Sequence, residues 1–195
     1  MDPENIDILV QYGNTLNRLG EKKEALILFE KANKLNPDYI VVIDMLGMLY
    51  DELKLFQKCD SLYEEALLRF PENDLLMNNY AYILSVRNER LAYAFKLAQK
   101  ALEIQPDNAA YLDTIGWIYY RLGNYDLAEI YIKRSLEKRE ENDSGDDNAV
   151  VIEHLGDVYF KQGKFNLAKE YWQRALQLDD VNLQLKEKLE KIDDN

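Results

Sequence analysis

The stretch Ala110–Glu137, AYLDTIGWIYYRLGNYDLAEIYIKRSLE, decides the fold. It reads as two amphipathic helices, A and B, with apolar residues at i, i+3, i+4 and i+7, separated by the turn signal Leu122-Gly123-Asn124. Gly116 lies inside the first helical pattern and Ala128 inside the second, small residues that let two helix backbones approach closely. A bulky residue at such a crossing is overpacked by about 1–3 kcal/mol. Working outward, the same small residues recur. Gly13, Gly47, Ala81, Gly116 and Gly156 are spaced 34, 34, 35 and 40. Ala25, Cys59, Ala94, Ala128 and Ala168 follow in step, and so do Ala32, Ala66, Ala101, Ser135 and Ala175. Pro37, Pro71 and Pro106 close the first three units. A fixed period of this length is the signature of a repeat architecture.

In Leu112, Ile115-Gly116, Tyr119, Gly123, Tyr125 and Ala128 the chain resembles the tetratricopeptide repeat family, over nearly its whole length. The wording of the later units (NNYAYILS, AYLDTIGWIYY, IEHLGDVYFKQG) is most similar to bacterial repeat proteins. The resemblance implies an all-α fold, a right-handed α-solenoid of five helix-turn-helix repeats plus a C-terminal capping helix. The expected division is one domain, 1–195, with repeats at about 6–39, 40–73, 74–108, 109–148 and 149–182 and the cap at 183–195. Gly20, Gly123 and Gly163 stand where helix A ends and a left-handed residue is wanted. Lys54 replaces that glycine in the second unit, and Asn88 is expected to supply the turn in the third, which carries one extra residue and has Ala98 at a position the family fills with a bulky one. The fourth unit lacks its proline and carries the acidic insertion 141–148, the expected flexible loop. Leu178, Val181, Leu185, Leu189 and Ile192 form the expected apolar stripe of the capping helix, whose other face is polar as a terminal element requires.

Composition narrows the function classes. Apolar residues at 47% supply a core, which excludes a disordered chain. A net charge of −12 with no basic cluster opposes nucleic-acid and anionic-membrane binding. One cysteine, Cys59, allows no internal disulfide and falls at a small-residue crossing, the place of a buried structural thiol. The N-terminus MDPENIDILVQYGN is acidic and has no apolar core of a signal peptide. Cytoplasm and periplasm stay open as compartments. The first repeat begins almost at once, without a visible cap, which leaves room for earlier repeats.

No catalytic constellation is expected. His154, the one histidine, has no His or Cys at ligand spacing and is expected at the surface or in a groove. Asp143, Ser144, Asp146 and Asp147 fall short of a calcium loop for want of its terminal bidentate Glu, and Asn142-Asp143-Ser144 is a formal glycosylation sequon. The tyrosines are read as core: Tyr50, Tyr119 and Tyr159 share one repeat position, and Phe56, Tyr125 and Phe165 another. No cofactor or metal is expected, and the chain is not expected to be an enzyme.

The resemblance implies that A helices line a concave binding face. Helical spacing directs there Asn14 and Asn17; Asp44, Met48 and Asp51; Leu75, Asn78, Tyr82 and Ser85; Asp113, Trp117 and Tyr120; and Glu153, Asp157 and Phe160. Of these, Asn14, Asp44, Met48, Asn78, Tyr82, Asp113, Trp117, Tyr120, Glu153 and Asp157 form the candidate peptide-binding set. Aromatic rings flanked by carboxylates suit a protein or peptide partner with basic or aromatic residues, and packing between neighbouring A helices is the alternative for Trp117 and Tyr82. Relatives that hold a chaperone tail use Lys and Asn there. Asn14 and Asn79 match the amides, but Val10 and Leu75 stand where cations are needed, so the resemblance does not extend to that activity. The expected function is a protein-interaction scaffold or assembly factor. The alternative is one segment of a larger or self-associating array, ahead of an RNA-binding helical repeat or an enzyme.

Overall fold

The computed structural model describes residues 5–141 and 148–193, so the acidic stretch 142–147, with its calcium-like and sequon readings, lies outside the described residues. All regular structure among them is helical. The eleven helices are α1 (Ile6–Arg18), α2 (Lys22–Leu35), α3 (Ile40–Glu52), α4 (Phe56–Arg69), α5 (Asp74–Arg87), α6 (Leu91–Ile104), α7 (Ala109–Arg121), α8 (Tyr125–Glu141), α9 (Asn148–Lys161), α10 (Phe165–Leu178) and α11 (Leu183–Asp193). The chain divides into two compact units, residues 1–83 and 84–195.

Local chemistry explains why these residues form these helices. Asn5, Asn73, Asn108 and Asn182 cap α1, α5, α7 and α11, each side-chain oxygen accepting from the amide three residues on: Ile8, Leu76, Tyr111 and Leu185. A left-handed residue ends each of α1, α3, α5, α7 and α9, namely Gly20, Lys54, Asn88, Gly123 and Gly163, at φ between 59° and 82°. The following amide bonds back across the turn in each case: Glu21 to Leu16, Leu55 to Tyr50, Glu89 to Leu84, Asn124 to Tyr119 and Lys164 to Tyr159. The turn tolerates Lys54 and Asn88 because the closure is made by backbone alone. Arg90 also takes a positive φ, 47°, where the third unit carries its extra residue.

Within unit 1, α1 packs on α2, α2 on α3 and α3 on α4; within unit 2 the same consecutive packing joins α6 through α11. The small residues sit where the helices meet. A Cβ on Gly13 or Gly47 would lie 2.6 Å from the Phe29 ring and 2.4 Å from the Tyr63 ring. On Gly156 it would lie 2.4 Å from Trp172. Ala25, Cys59, Ala94, Ala128 and Ala168 are all fully buried. Two sequence expectations are corrected. Phe56 and Phe165 are exposed rather than core, because they open their helices where the preceding turn leaves one side to solvent. Leu178 and Val181 are also exposed: α11 begins only at Leu183, so they precede the stripe, while Leu185 is buried and Leu189 and Ile192 pack beside it.

Candidate functional site

The candidate site is built on the A-type helices: α1, α3 and the first ten residues of α5 (74–83) in unit 1, α7 and α9 in unit 2. In unit 1 Met48 is exposed, while Asn14, Asp44 and Tyr82 are half-buried and Asn78 is buried. Asp44 is engaged within the chain. Its Oδ1 accepts from the Tyr63 hydroxyl at 2.9 Å and from Asn79 Nδ2 at 2.8 Å. Burial raises the Asp44 carboxyl above its ordinary value, and those two hydrogen bonds act against the rise. Burial, and then the Asp44 charge, push the Tyr63 phenol well above its ordinary range.

Unit 2 holds an aromatic stack. Trp117 lies between Tyr120 and His154, with centroids at 4.6 Å and 4.0 Å and rings within 12° and 16° of parallel. The Nδ1–H of His154 donates to Asp113 at 3.0 Å, and both side chains are buried. This corrects the expected surface or groove position of His154. A histidine that stacks on an indole and donates to a carboxylate can be enclosed without leaving its polar nitrogen unsatisfied. Trp117 is itself buried, so the packing alternative holds for both of its faces, and its Nε1 is enclosed with no acceptor.

One helix further on, Lys188 of α11 reaches back to α9. Its Nζ lies 2.7 Å from Glu153 Oε1 and 2.6 and 2.8 Å from the two Asp157 oxygens, and 5.5 Å from the centre of the Trp172 ring. Asp157 also accepts from the Trp172 indole at 2.9 Å. Burial raises the Asp157 carboxyl, with Lys188 opposing it, and burial pushes the Tyr120 phenol up to about 12, helped by the Asp157 charge.

Three of these four carboxylates share one register. Asp44 receives Asn79, Asp113 receives His154 and Glu153 receives Lys188, each from the next A-type helix along the chain. The sequence reading of an exposed acidic stripe is therefore corrected at Asp44, Asp113, Glu153 and Asp157, each of which accepts from the chain's own donors. Asn79, His154 and Lys188 are the residues that reading missed as partners. The available signal was a polar residue two places before the small residue in successive helices (Asn79 before Ala81, His154 before Gly156). Phe160 is exposed beside half-buried Tyr120, and both line a cavity of about 240 Å³ with Trp172, Asp157, Lys161, Lys188 and Lys191. A larger depression of about 630 Å³ lies over the turns Leu122–Asp126 and Gln162–Lys164. Among the described residues no group of three or more His, Cys, Asp or Glu could hold a metal, and no helix is long and apolar enough to cross a membrane.

Models of the tetratricopeptide repeat match residues 6–39, 42–73, 108–142 and 153–180, more than half of the chain. The chain belongs to the tetratricopeptide repeat family. Domains of this family mediate protein–protein interactions and are typically not catalytic. The TPR repeat-containing protein PA4667 of Pseudomonas aeruginosa is 35% identical over 104 residues, which are 50% of this chain and 18% of that protein. The BBSome complex member BBS4 of Bos taurus is 30% identical over 136 residues, 70% of this chain and 26% of its own length. The chain thus spans between 18% and 26% of these two curated relatives. The crystal structure of TTC0263, a thermophilic TPR protein of Thermus thermophilus, superposes with a TM-score of 0.79 at 22% identity, covering 96% of this chain and 98% of that one. That likeness concerns the fold alone.

Proposed function

We propose that this tetratricopeptide repeat chain is a protein-interaction scaffold or assembly factor that captures a peptide or helix of a partner protein on its A-type helices. The observation that carries this reading is the mouth of the 240 Å³ cavity in unit 2, where Tyr120 and Phe160 present aromatic surface above Trp172. A pocket of that size with aromatic walls suits one apolar or aromatic anchor side chain. The carboxylates around it are occupied by Lys188, so charge pairing with a basic partner is secondary to the anchor. Lys161 and Lys191 at the rim favour acidic residues flanking the anchor. BBS4, by its name, is a member of a complex, and membership of a complex is the role this reading assigns here.

The test is a peptide-array screen with the wild-type chain and a Tyr120→Ala/Phe160→Ala variant whose circular dichroism is unchanged. Peptides with a Trp, Phe or Leu anchor next to acidic residues should be retained by wild type and lost by the variant. Equal retention by both proteins would remove the cavity from the binding surface.

A further inference from the structure

The second repeat breaks a pairing that the other four repeats keep. Three residues after the small residue of each A helix stand Leu16, Tyr50, Leu84, Tyr119 and Tyr159, and three after that of each B helix stand Leu28, Leu62, Leu97, Tyr131 and Tyr171. Leucine is matched with leucine and tyrosine with tyrosine, except at Tyr50 and Leu62. In unit 2 the matched rings touch. Tyr119 and Tyr131 have centroids 5.5 Å apart, and Tyr159 and Tyr171 5.2 Å. An arginine one helical turn on lies over the B-helix ring of each pair, Arg134 at 5.9 Å from Tyr131 and Arg174 at 4.9 Å from Tyr171. That register is basic in four repeats (Lys31, Lys100, Arg134 and Arg174) and acidic in one, at Glu65.

Where the second ring is missing, unit 1 has a cavity of about 380 Å³, lined by Tyr50 of α3 and by Gln57, Lys58, Ser61, Leu62 and Glu65 of α4. Buried Tyr50 and half-buried Leu62 supply its apolar part, while Gln57, Ser61 and Glu65 are exposed. The Tyr50 hydroxyl donates to Glu30 at 2.8 Å, and Lys58, itself paired with Glu30 at 3.0 Å, lies 5.2 Å from the centre of the Tyr50 ring. Lys58 does not stand in for the missing ring, because Tyr159 holds a cation and a second ring together: Lys164 at 5.3 Å and Tyr171 at 5.2 Å. Leu62 and Glu65, three apart on α4, share one face of the helix, about 5–6 Å apart at Cβ.

We propose that this cavity docks an aromatic side chain of a partner protein's helix that carries an arginine or lysine one turn further on. The ring takes the place that Tyr131 and Tyr171 fill in unit 2, and the cation pairs with Glu65. A ring set against a ring and a charge against its opposite is the pairing that fixes specific interfaces. The site belongs to unit 1 and does not rest on the aromatic cavity of unit 2.

The probe is a labelled alanine–glutamine peptide with a single Tyr-x-x-Arg, shown to be helical before use. Fluorescence anisotropy against the intact chain should give saturable one-to-one binding, weakened about tenfold when the peptide's tyrosine becomes alanine or its arginine becomes glutamate. Leu62→Tyr supplies the ring from α4 itself, so it should fill the cavity and weaken binding about tenfold with circular dichroism unchanged. Glu65→Arg, at an exposed position, should reverse the charge preference, so that the Tyr-x-x-Glu peptide binds better than Tyr-x-x-Arg. Should Leu62→Tyr not fold, the reversal at Glu65 decides alone. Equal affinity for wild type and Leu62→Tyr, an unreversed preference in Glu65→Arg, or no saturable binding would overturn the proposal. Binding lost in Tyr120→Ala/Phe160→Ala but kept in Leu62→Tyr would move the peptide to unit 2 and overturn it as well. Sedimentation velocity tests the other occupant, since α8 and α10 of a second copy carry the same Tyr-x-x-Arg. A wild-type dimer that Leu62→Tyr dissolves would assign the cavity to self-association and overturn the partner helix.

Discussion

Replacing Gly116 by alanine sets two physical effects against each other. Helix propensity alone favours alanine over glycine in a helix interior by about 1 kcal/mol. Packing opposes it. The added Cβ would lie 2.5 Å from Ile132 Cγ1, 3.1 Å from the Ile132 backbone nitrogen and 3.3 Å from the Ala128 carbonyl oxygen. Carbon atoms attract best at about 3.5–4.0 Å, so the first contact is an overlap, and the two backbone atoms block the escape. Overpacking of this kind costs about 1–3 kcal/mol, and the rigid backbone places Gly116→Ala at the upper end. The net expectation is a loss of about 2 kcal/mol after the propensity gain, and Gly116→Leu should lose still more. Urea unfolding followed by tryptophan fluorescence is the assay, since the chain's two tryptophans, Trp117 and Trp172, both belong to unit 2. The midpoint should fall with the slope unchanged. Ile132→Ala supplies the internal check. Its own cost of about 2–5 kcal/mol should shrink by about 1 kcal/mol or more in the Gly116→Ala background, because the cavity accepts the new methyl. A Gly116→Ala midpoint at or above wild type, with no coupling to Ile132, would refute the close-crossing account.

Three further outcomes follow from the structure. Lys54→Gly should raise stability by about 0.5–1 kcal/mol in thermal unfolding, because Lys54 holds a left-handed φ of 59° at the turn where Gly20, Gly123 and Gly163 serve elsewhere; no change would mean the turn carries no strain. Trp117→Ala should destabilise unit 2 by about 3–5 kcal/mol, as expected for a buried indole stacked on two rings, and an unchanged urea midpoint followed by circular dichroism would contradict its burial. For Glu129, burial raises the carboxyl but hydrogen bonds from Lys133 and Lys164 outweigh it, and the folded value falls from 4.5 to about 2. A depressed acid stabilises the fold fully above its unfolded value and loses that contribution as pH drops through the folded one. Glu129→Gln should therefore be less stable than wild type at neutral pH, and the difference should close between pH 4.5 and about 2 in urea midpoints measured across that window.

The candidate site was legible in part. Helical spacing found the positions that point along one side of the A-type helices, and Trp117, Tyr120 and Phe160 do come together with His154 and Trp172 in unit 2. It did not find how much of that side is already used. Asn78, Asp113, Trp117 and Asp157 are buried there rather than displayed, and in unit 2 Asp113 and Trp117 of α7 are met by His154 of α9. A lone histidine likewise carries no mark of the carboxylate and indole that enclose it.

By itself the sequence determined the helices, their turns and their pairing. The reason is that a small residue at a helix crossing and a left-handed residue at a helix end are demands made within one unit, and the chain repeats them at a fixed period. Only the tertiary structure decided which charges are spent. Asp44 meets Asn79, Asp113 meets His154 and Glu153 meets Lys188 across separations of 35, 41 and 35 residues. A carboxylate in a sequence shows its charge but not the donor that burial will bring against it.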